Sequence, residues 1–364
     1  MPALDKVCLA VLVLFLLAAV VSYLPAMSSF HWLLRVGVPE VGMGFLVLAL
    51  PAALVLGRTN PKLSGGLFAL LLTLLLVSWA QAVGVAGDLT KRWLDSFAVA
   101  PTRYPLRLGD RGGHTLVTER YKGELEWDRY IPKGREPFAR LLFIHGGSWR
   151  NGTRKDYDQI FCYLADRGYE VLSPTYTLSG TAPYPEPYFD IQAAIERAHQ
   201  EGVPLFLGGR SSGGHLALLS AYRNPELVDG VIGFYPPVDM KWSYDNPSNP
   251  HVLNSQEAIV EFLGAGPGEE AALYRETSPL FQATGQGPPT LLIHGRPDCL
   301  VYHRQSEMLS QRLEELGVEH FLLSLPWAEH GGDVTLYGPT GRLSTWAIEG
   351  FLESRVRELN NSQK

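Results

Sequence analysis

Cysteine is scarce in this sequence, with three in 364 residues. Cys8 sits inside an apolar run, so Cys162 and Cys299 leave at most one pair and no repeated spacing. That excludes a disulfide framework and a structural zinc site. An excess of positive charge is missing too. Against 31 Lys and Arg stand 37 Asp and Glu, a net charge of −6, with no basic stripe, which excludes the electrostatic footprint of a nucleic-acid surface. The ten histidines include no His-Glu-x-x-His and no paired ligand spacing, so neither a metal nor a cofactor is expected.

Charge is absent from three stretches near the amino terminus, residues 7–24, 41–56 and 67–85. A helix needs roughly 17–25 apolar residues to cross a bilayer. The first and third are long enough, and the second becomes so if Val38 and Pro39 join it, with Glu40 at its mouth. A cleaved signal peptide is the rival for the first, since Lys6 precedes a run ending near Pro25-Ala26-Met27. Two further runs come directly after it, which a secreted soluble enzyme would not need. All three are apolar all round, whereas helices at the edge of a soluble core keep a polar face. Residues 1–87 therefore read as a multi-pass membrane region with helices at 7–24, 38–56 and 65–85. Short polar turns at 58–62 and around His31 to Arg35 join them. Lys6, Arg58 and Lys62 oppose Arg35, Lys91 and Arg92 in a near tie; the compact Arg58/Lys62 turn favours a catalytic domain on the non-cytoplasmic side.

Residues 88–114 read as an interfacial helix and linker. Leu89, Trp93 and Phe97 recur at four-residue spacing, a face that lies either in the headgroups or against the next domain. Pro101 to Pro105 is the linker. From 115 to 364, short apolar runs at 125–131, 139–144, 169–172, 204–207, 228–234, 290–293 and 320–325 alternate with helical patterns. The expected class is α/β, a mostly parallel sheet covered by helices on both faces, with chemistry at strand ends. An insertion near 241–285 forms a cap. Its Trp242, Tyr244, Phe262 and Tyr274 either line a pocket or make the cap's own small core, the second more in keeping with most of them.

Gly209-Arg210-Ser211-Ser212-Gly213 has the form Gly-x-Ser-x-Gly. An apolar strand precedes it and a helix beginning Gly214-His215-Leu216 comes after it, the setting of a strand-to-helix elbow that exposes a serine hydroxyl. Ser212 lacks the leading glycine, so Ser211 is the nucleophile. A second glycine turn, His145-Gly146-Gly147-Ser148-Trp149, directly succeeds a buried strand. Acyl transfer builds negative charge on a carbonyl oxygen, which backbone N–H groups can meet. Gly147, Ser148 and Ser212 are the expected donors, with Gly146 as a substitute.

These motifs, with Tyr176-Thr177-Leu178 and the continuation Gly214-His215-Leu216-Ala217, resemble the esterase/lipase branch of the α/β-hydrolases. That branch includes hormone-sensitive-lipase-like carboxylesterases and enzymes of the prenylcysteine methylesterase and kynurenine formamidase type. The resemblance covers about 125–352 and leaves the membrane region outside. Ser148 stands where a third glycine is frequent, and Thr177 where an arginine is. The resemblance implies a chain order of Ser, then Asp or Glu, then His. It puts the acid at Asp298, after the strand at 290–293, and the base at His330, after the strand at 320–325. Histidine takes the serine proton and the carboxylate fixes its tautomer.

Competing residues have other expected roles. His215 points into helix packing, and His294 supports the Asp298 loop. Asp239 is the alternative acid, Glu329 and Asp333 read as surface charges, and Cys299 lacks a base of its own. The expected function is a membrane-anchored serine carboxylesterase acting on an amphiphilic ester, with ester substrate and lipid bilayer as its partners. The alternatives are a serine peptidase on the same fold, and a receptor or scaffold that kept the fold without catalysis.

Overall fold

The computed structural model describes residues 1–97, 113–199 and 202–362. Eight strands form one sheet: β1 His114–Lys122, β2 Leu125–Pro132, β3 Arg140–Ile144, β4 Glu170–Pro174, β5 Leu205–Arg210, β6 Gly230–Phe234, β7 Thr290–Gly295 and β8 His320–Leu325. Their order is β1-β2-β4-β3-β5-β6-β7-β8. The two pairings made by β2 are antiparallel and the rest are parallel. Strand β1 has no counterpart in the sequence reading, because an edge strand buries little and its apolar alternation is weak.

The amino-terminal region is helical: α1 Ala3–Val21, α2 Ser29–Val41, α3 Phe45–Gly57 and α4 Pro61–Phe97. Among the described residues, three helical stretches are long and apolar enough to cross a membrane, Ala3–Val21, Ser29–Gly57 and Pro61–Leu89. Small residues, Ala19, Ala49, Ala52 and Ala53, fill the contact between them and let the helices approach closely.

Side chains alternate across the sheet as a period of two demands. Leu141, Phe143, Phe206, Leu291 and Ile293 face one buried layer. Leu142, Ile144, Leu205, Leu207 and Leu292 face the other. The helices covering these faces are α5 Asp158–Ala165, α6 Glu186–Ala198, α7 Ser212–Arg223, α12 Arg304–Leu316 and α13 Pro339–Ser362. Between β6 and β7 lie four short helices, α8 Met240–Asp245, α9 Ser255–Leu263, α10 Ala271–Glu276 and α11 Pro279–Gln282. Phe262 and Tyr274 are buried in the same core layer as Leu142 and Leu207, Phe262 stacked on Trp149, and Tyr244 packs against that layer.

The segment around His31 to Arg35 is helix, not the polar turn expected. Ser28 caps α2 by accepting from the His31 N–H at 3.1 Å. The His31 ring bonds Val21 O at 2.7 Å and the Met27 N–H at 3.2 Å. Polar side chains satisfied in this way need no water, so they do not break a helix.

Helix α4 has 37 residues, about 55 Å at 1.5 Å per residue, well beyond the roughly 30 Å of a bilayer core. Its later turns dock on the sheet domain, where Ala82 and Leu89 join the buried cluster of Phe321, Trp346 and Phe351. Leu89 therefore belongs to a protein core, not to the headgroup region. Its expected companions Trp93 and Phe97 continue α4, and the linker at Pro101 to Pro105 lies outside the described residues.

Candidate active site

Strand β5 ends at Arg210 and α7 begins at Ser212, so one residue makes the bend. Ser211 has φ 53° and ψ −122°, a sparsely populated conformation for any residue with a Cβ. Its N–H donates to Phe234 O at 2.9 Å, which ties the elbow to β6. A Cβ on Gly209 would lie 2.3 Å from Gly213 O, and one on Gly213 would lie 2.2 Å from Ile144 O. Strand, elbow and helix pass too closely there for any side chain.

The bend presents the Ser211 hydroxyl to His330, with Oγ 3.0 Å from Nε2. On the other side of the ring, Nδ1 is 2.7 Å from Asp298 Oδ2. An ionised carboxylate only accepts, so Nδ1 carries the proton and Nε2 is left to accept from the Ser211 O–H. The remaining Asp298 oxygen accepts from the N–H groups of Leu300 and Val301 at 2.8 and 2.9 Å. Burial by itself would raise the Asp298 pKa. The charge of His330 and the hydrogen bonds of His294 and His330 outweigh it and hold the carboxyl well below the ordinary range.

This low pKa makes stability depend on pH. Native Asp298 binds its proton more weakly than the unfolded chain, where an aspartate titrates near 3.9. It therefore contributes stability above that value, and this is lost as pH falls toward the native pKa. The thermal midpoint of the detergent-solubilised full chain is expected to fall more steeply below about pH 5 than that of Asp298→Asn. Parallel curves for the two proteins would contradict it.

The site is set in a cavity of about 320 Å³ lined by Gly146, Gly147, Ser148, Ser211, Ser212 and His330, among others. The residues expected to supply backbone donors thus border the same space as the serine and the imidazole. Gly147 and Ser148 have φ values of 119° and 55°; this strained turn directs the main chain after β3 into the cavity. Trp242, Val252, Leu253 and Ile259 supply apolar lining to the same cavity. No Asp, Glu, Lys or Arg lines it among the described residues. Nor is any group of three or more His, Cys, Asp or Glu placed there to hold a metal ion.

Two residues read as surface charges are buried instead. Glu329 and Asp333 are each 3% exposed. Glu329 Oε1 accepts from the N–H groups of Cys299 and His330 at 2.7 and 3.1 Å, and Oε2 pairs with Arg35 at 2.9 Å. One carboxylate thus joins the Asp298 loop to the His330 loop. Asp333 pairs with the fully buried Arg210 and accepts from the Tyr235 hydroxyl at 2.7 Å. Tyr235 packs its ring 4.3 Å from the His330 ring. Sequence reasoning missed this tyrosine and both arginine partners; a charge beside a histidine looks solvated until its counterion is known.

The competitors occupy supporting positions. His215 is buried between Trp149 and the Thr277 carbonyl, which accepts from it at 2.7 Å, and burial pushes its pKa down to about 4. His294 holds the acid loop through Val301 O at 2.8 Å and Ser306 at 2.7 Å. Asp239 caps α8, accepting from the Trp242 N–H at 3.0 Å. Burial and the neighbouring Glu329 push the Cys299 thiol up to about 12, so it stays an unreactive thiol.

Several known proteins with related sequences are named as esterases, and one, at 23% identity over 55% of this chain and 31% of its own length, is dipeptidyl peptidase family member 6 of Caenorhabditis elegans. The chain is 28% identical over 248 residues to esterase LipC of Mycobacterium tuberculosis, covering 61% of this chain and 60% of that protein. It is 26% identical to the probable carboxylic ester hydrolase LipM of the same organism, covering 59% of this chain and 54% of LipM. The chain thus spans under two thirds of the length of either. Brefeldin A esterase, a bacterial homologue of human hormone-sensitive lipase, shares the fold with a TM-score of 0.58 at 20% identity, covering 77% of this chain and 86% of its own. A truncated carbohydrate esterase from gut microbiota has a TM-score of 0.57 at 23% identity, covering 68% of this chain and 99% of its own. The BD-FAE family model matches residues 127–313, just over half of the chain. That segment carries the serine elbow, the glycine turn after β3 and the acid loop, set in an α/β-hydrolase sheet, and the chain belongs to the BD-FAE family.

Proposed function

We propose that this protein is a membrane-anchored carboxylesterase that cleaves an uncharged ester through an acyl-enzyme on Ser211. The carrying observation is the chain of hydrogen bonds from Ser211 through His330 to Asp298, opening on a cavity bordered by Gly147 and Ser148. Ser211 Oγ attacks the ester carbonyl carbon while His330 Nε2 takes its proton. The carbonyl oxygen becomes an oxyanion, met by the N–H groups of Gly147, Ser148 and Ser212. Collapse breaks the carbon–oxygen bond, and His330 returns the proton to the leaving alcohol. Water then attacks the acyl-enzyme with His330 again as base, releasing the acid and the serine.

The uncharged, largely apolar lining supports a neutral ester with an apolar acyl or aryl group, since an ionised group there would lose its water without gaining a partner. Location adds the expectation of an amphiphilic molecule such as an acylglycerol. We place the membrane region at residues 1–87, the hydrolase domain from residue 114 onward, and the cap between β6 and β7. In this topology the chain crosses the bilayer three times. The turn at residues 58–62, with Arg58 and Lys62, lies on the cytoplasmic side with Lys6, and the hydrolase domain lies opposite. Arg35, on the hydrolase side, is neutralised by Glu329, which tips the positive-inside count the same way.

A chain-length series of p-nitrophenyl esters on the detergent-solubilised full chain tests this reading. Turnover is expected to rise from acetate to medium-length acyl groups, with no cleavage of peptide p-nitroanilides. Acetate turned over far faster than every longer ester would sink the lipid assignment, and cleavage of the anilides alone would make the protein a peptidase.

A further inference from the structure

We propose that Trp32, carried by α2 of the amino-terminal helical region, is a specificity-determining wall of the catalytic cavity. The inference deepens the esterase reading and rests on it. Trp32 borders the same cavity as Ser211 and His330, yet it lies far outside the segment that the family model matches, 127–313. The membrane region is thus part of the site as well as its anchor.

Helix α2 is fixed against the hydrolase domain along its length. Just before it, the Asn249 side-chain amide donates to Ala26 O at 2.6 Å. In its middle, Arg35 pairs with Glu329 at 2.9 Å and donates to Pro297 O at 3.3 Å. At its far end, Glu40 accepts from the Thr340 N–H at 3.1 Å and from its hydroxyl at 2.5 Å. The seat is tight there: a Cβ on Gly338 would fall 2.0 Å from Glu40 Oε2. Glu329 also holds the N–H of His330, so the helix that carries the wall and the loop that carries the base share one carboxylate.

A wall fixed at three points yields little. Val252, Leu253 and Ile259 of the cap line the cavity with it. An acyl group lying between them meets the indole as a steric stop, and apolar pockets discriminate one methylene by about tenfold or more. The helical neighbours Phe30 and Leu33 are 70% and 56% exposed; they face outward and take no part in the cavity.

The test uses the full chain in detergent and compares kcat/KM for p-nitrophenyl decanoate with that for the butyrate. In Trp32→Ala the decanoate-to-butyrate ratio is expected to rise about tenfold. Trp32→Phe should fall between, and Phe30→Ala, on the outer face of α2, should leave the ratio unchanged. A ratio that stays put in both Trp32 variants, or moves as much in Phe30→Ala, overturns the proposal. Binding of p-nitrophenyl decanoate to Ser211→Ala protein, with and without Trp32→Ala, supplies a readout that needs no turnover. If the unsubstituted chain hydrolysed no ester, the esterase reading would fall. Tighter decanoate binding without the indole would still support Trp32 as the wall, and equal binding would refute it.

Discussion

Ser211→Ala is expected to lower kcat on p-nitrophenyl esters by roughly 10⁴- to 10⁶-fold with little change in KM. The hydroxyl contributes to the chemical step and hardly to binding. The cavity walls and the glycine turn stay in place when one oxygen is deleted, so substrate still enters. What disappears is the hydroxyl that lies 3.0 Å from His330 Nε2, the proposed nucleophile. Labelling of the full chain by a fluorophosphonate should vanish in the same variant, since that reagent reports an activated serine and no other feature of the fold. On the proposed mechanism, any residual rate is that of water attacking an ester polarised by the N–H groups of Gly147, Ser148 and Ser212. Labelling that survives in Ser211→Ala would move the nucleophile elsewhere, and an unlabelled native chain would favour the receptor or scaffold.

Asp333→Ala is expected to destabilise the protein by about 3–5 kcal/mol, the usual consequence of stranding one partner of a buried ion pair. Arg210 is 1% exposed, and its guanidinium lies 3.5 Å over the Tyr157 ring and 5.0 Å from that of Phe234. Burial favours the neutral guanidine, but the attraction of Asp333 outweighs it and raises the Arg210 pKa, so the cation persists. Removing Asp333 leaves that charge among aromatic rings with no water to solvate it. A fall of roughly 10 °C in the thermal midpoint is the expected reading, at about 2–4 °C per kcal/mol for a domain of this size. The double variant Arg210→Met, Asp333→Ala should recover most of it, because an apolar replacement of the whole pair removes the stranded charge. An unchanged midpoint in the single variant would show that Arg210 finds another counterion. The pair also bears on the site: Arg210 immediately precedes Ser211, and Asp333 holds Tyr235 against His330.

Ser211 and the glycine turn at 145–149 could be read before any coordinates because their geometry is local. A serine between two glycines, after an apolar strand and before a helix, has few ways to bend. The Cβ distances at Gly209 and Gly213 show how little space the elbow leaves. The alternation of strands and helices was equally legible, since periods of two and 3.6 are written into neighbouring residues. So were the apolar amino-terminal runs. Their ends were less so: residues 31–35 looked like a polar turn because His31 and Arg35 carry polar atoms whose partners lie on other elements.

The sequence by itself determined the fold class, the bend that exposes Ser211 and the apolar character of the first helices, all consequences of short-range sterics and periodicity. Only the tertiary structure decided that Glu329 and Asp333 are buried counterions, that Tyr235 packs against His330, and that Trp32 borders the cavity. Each depends on groups far apart in the chain meeting where water is excluded. There a charge or an indole takes its role from the partner that packing brings to it, which no local pattern encodes.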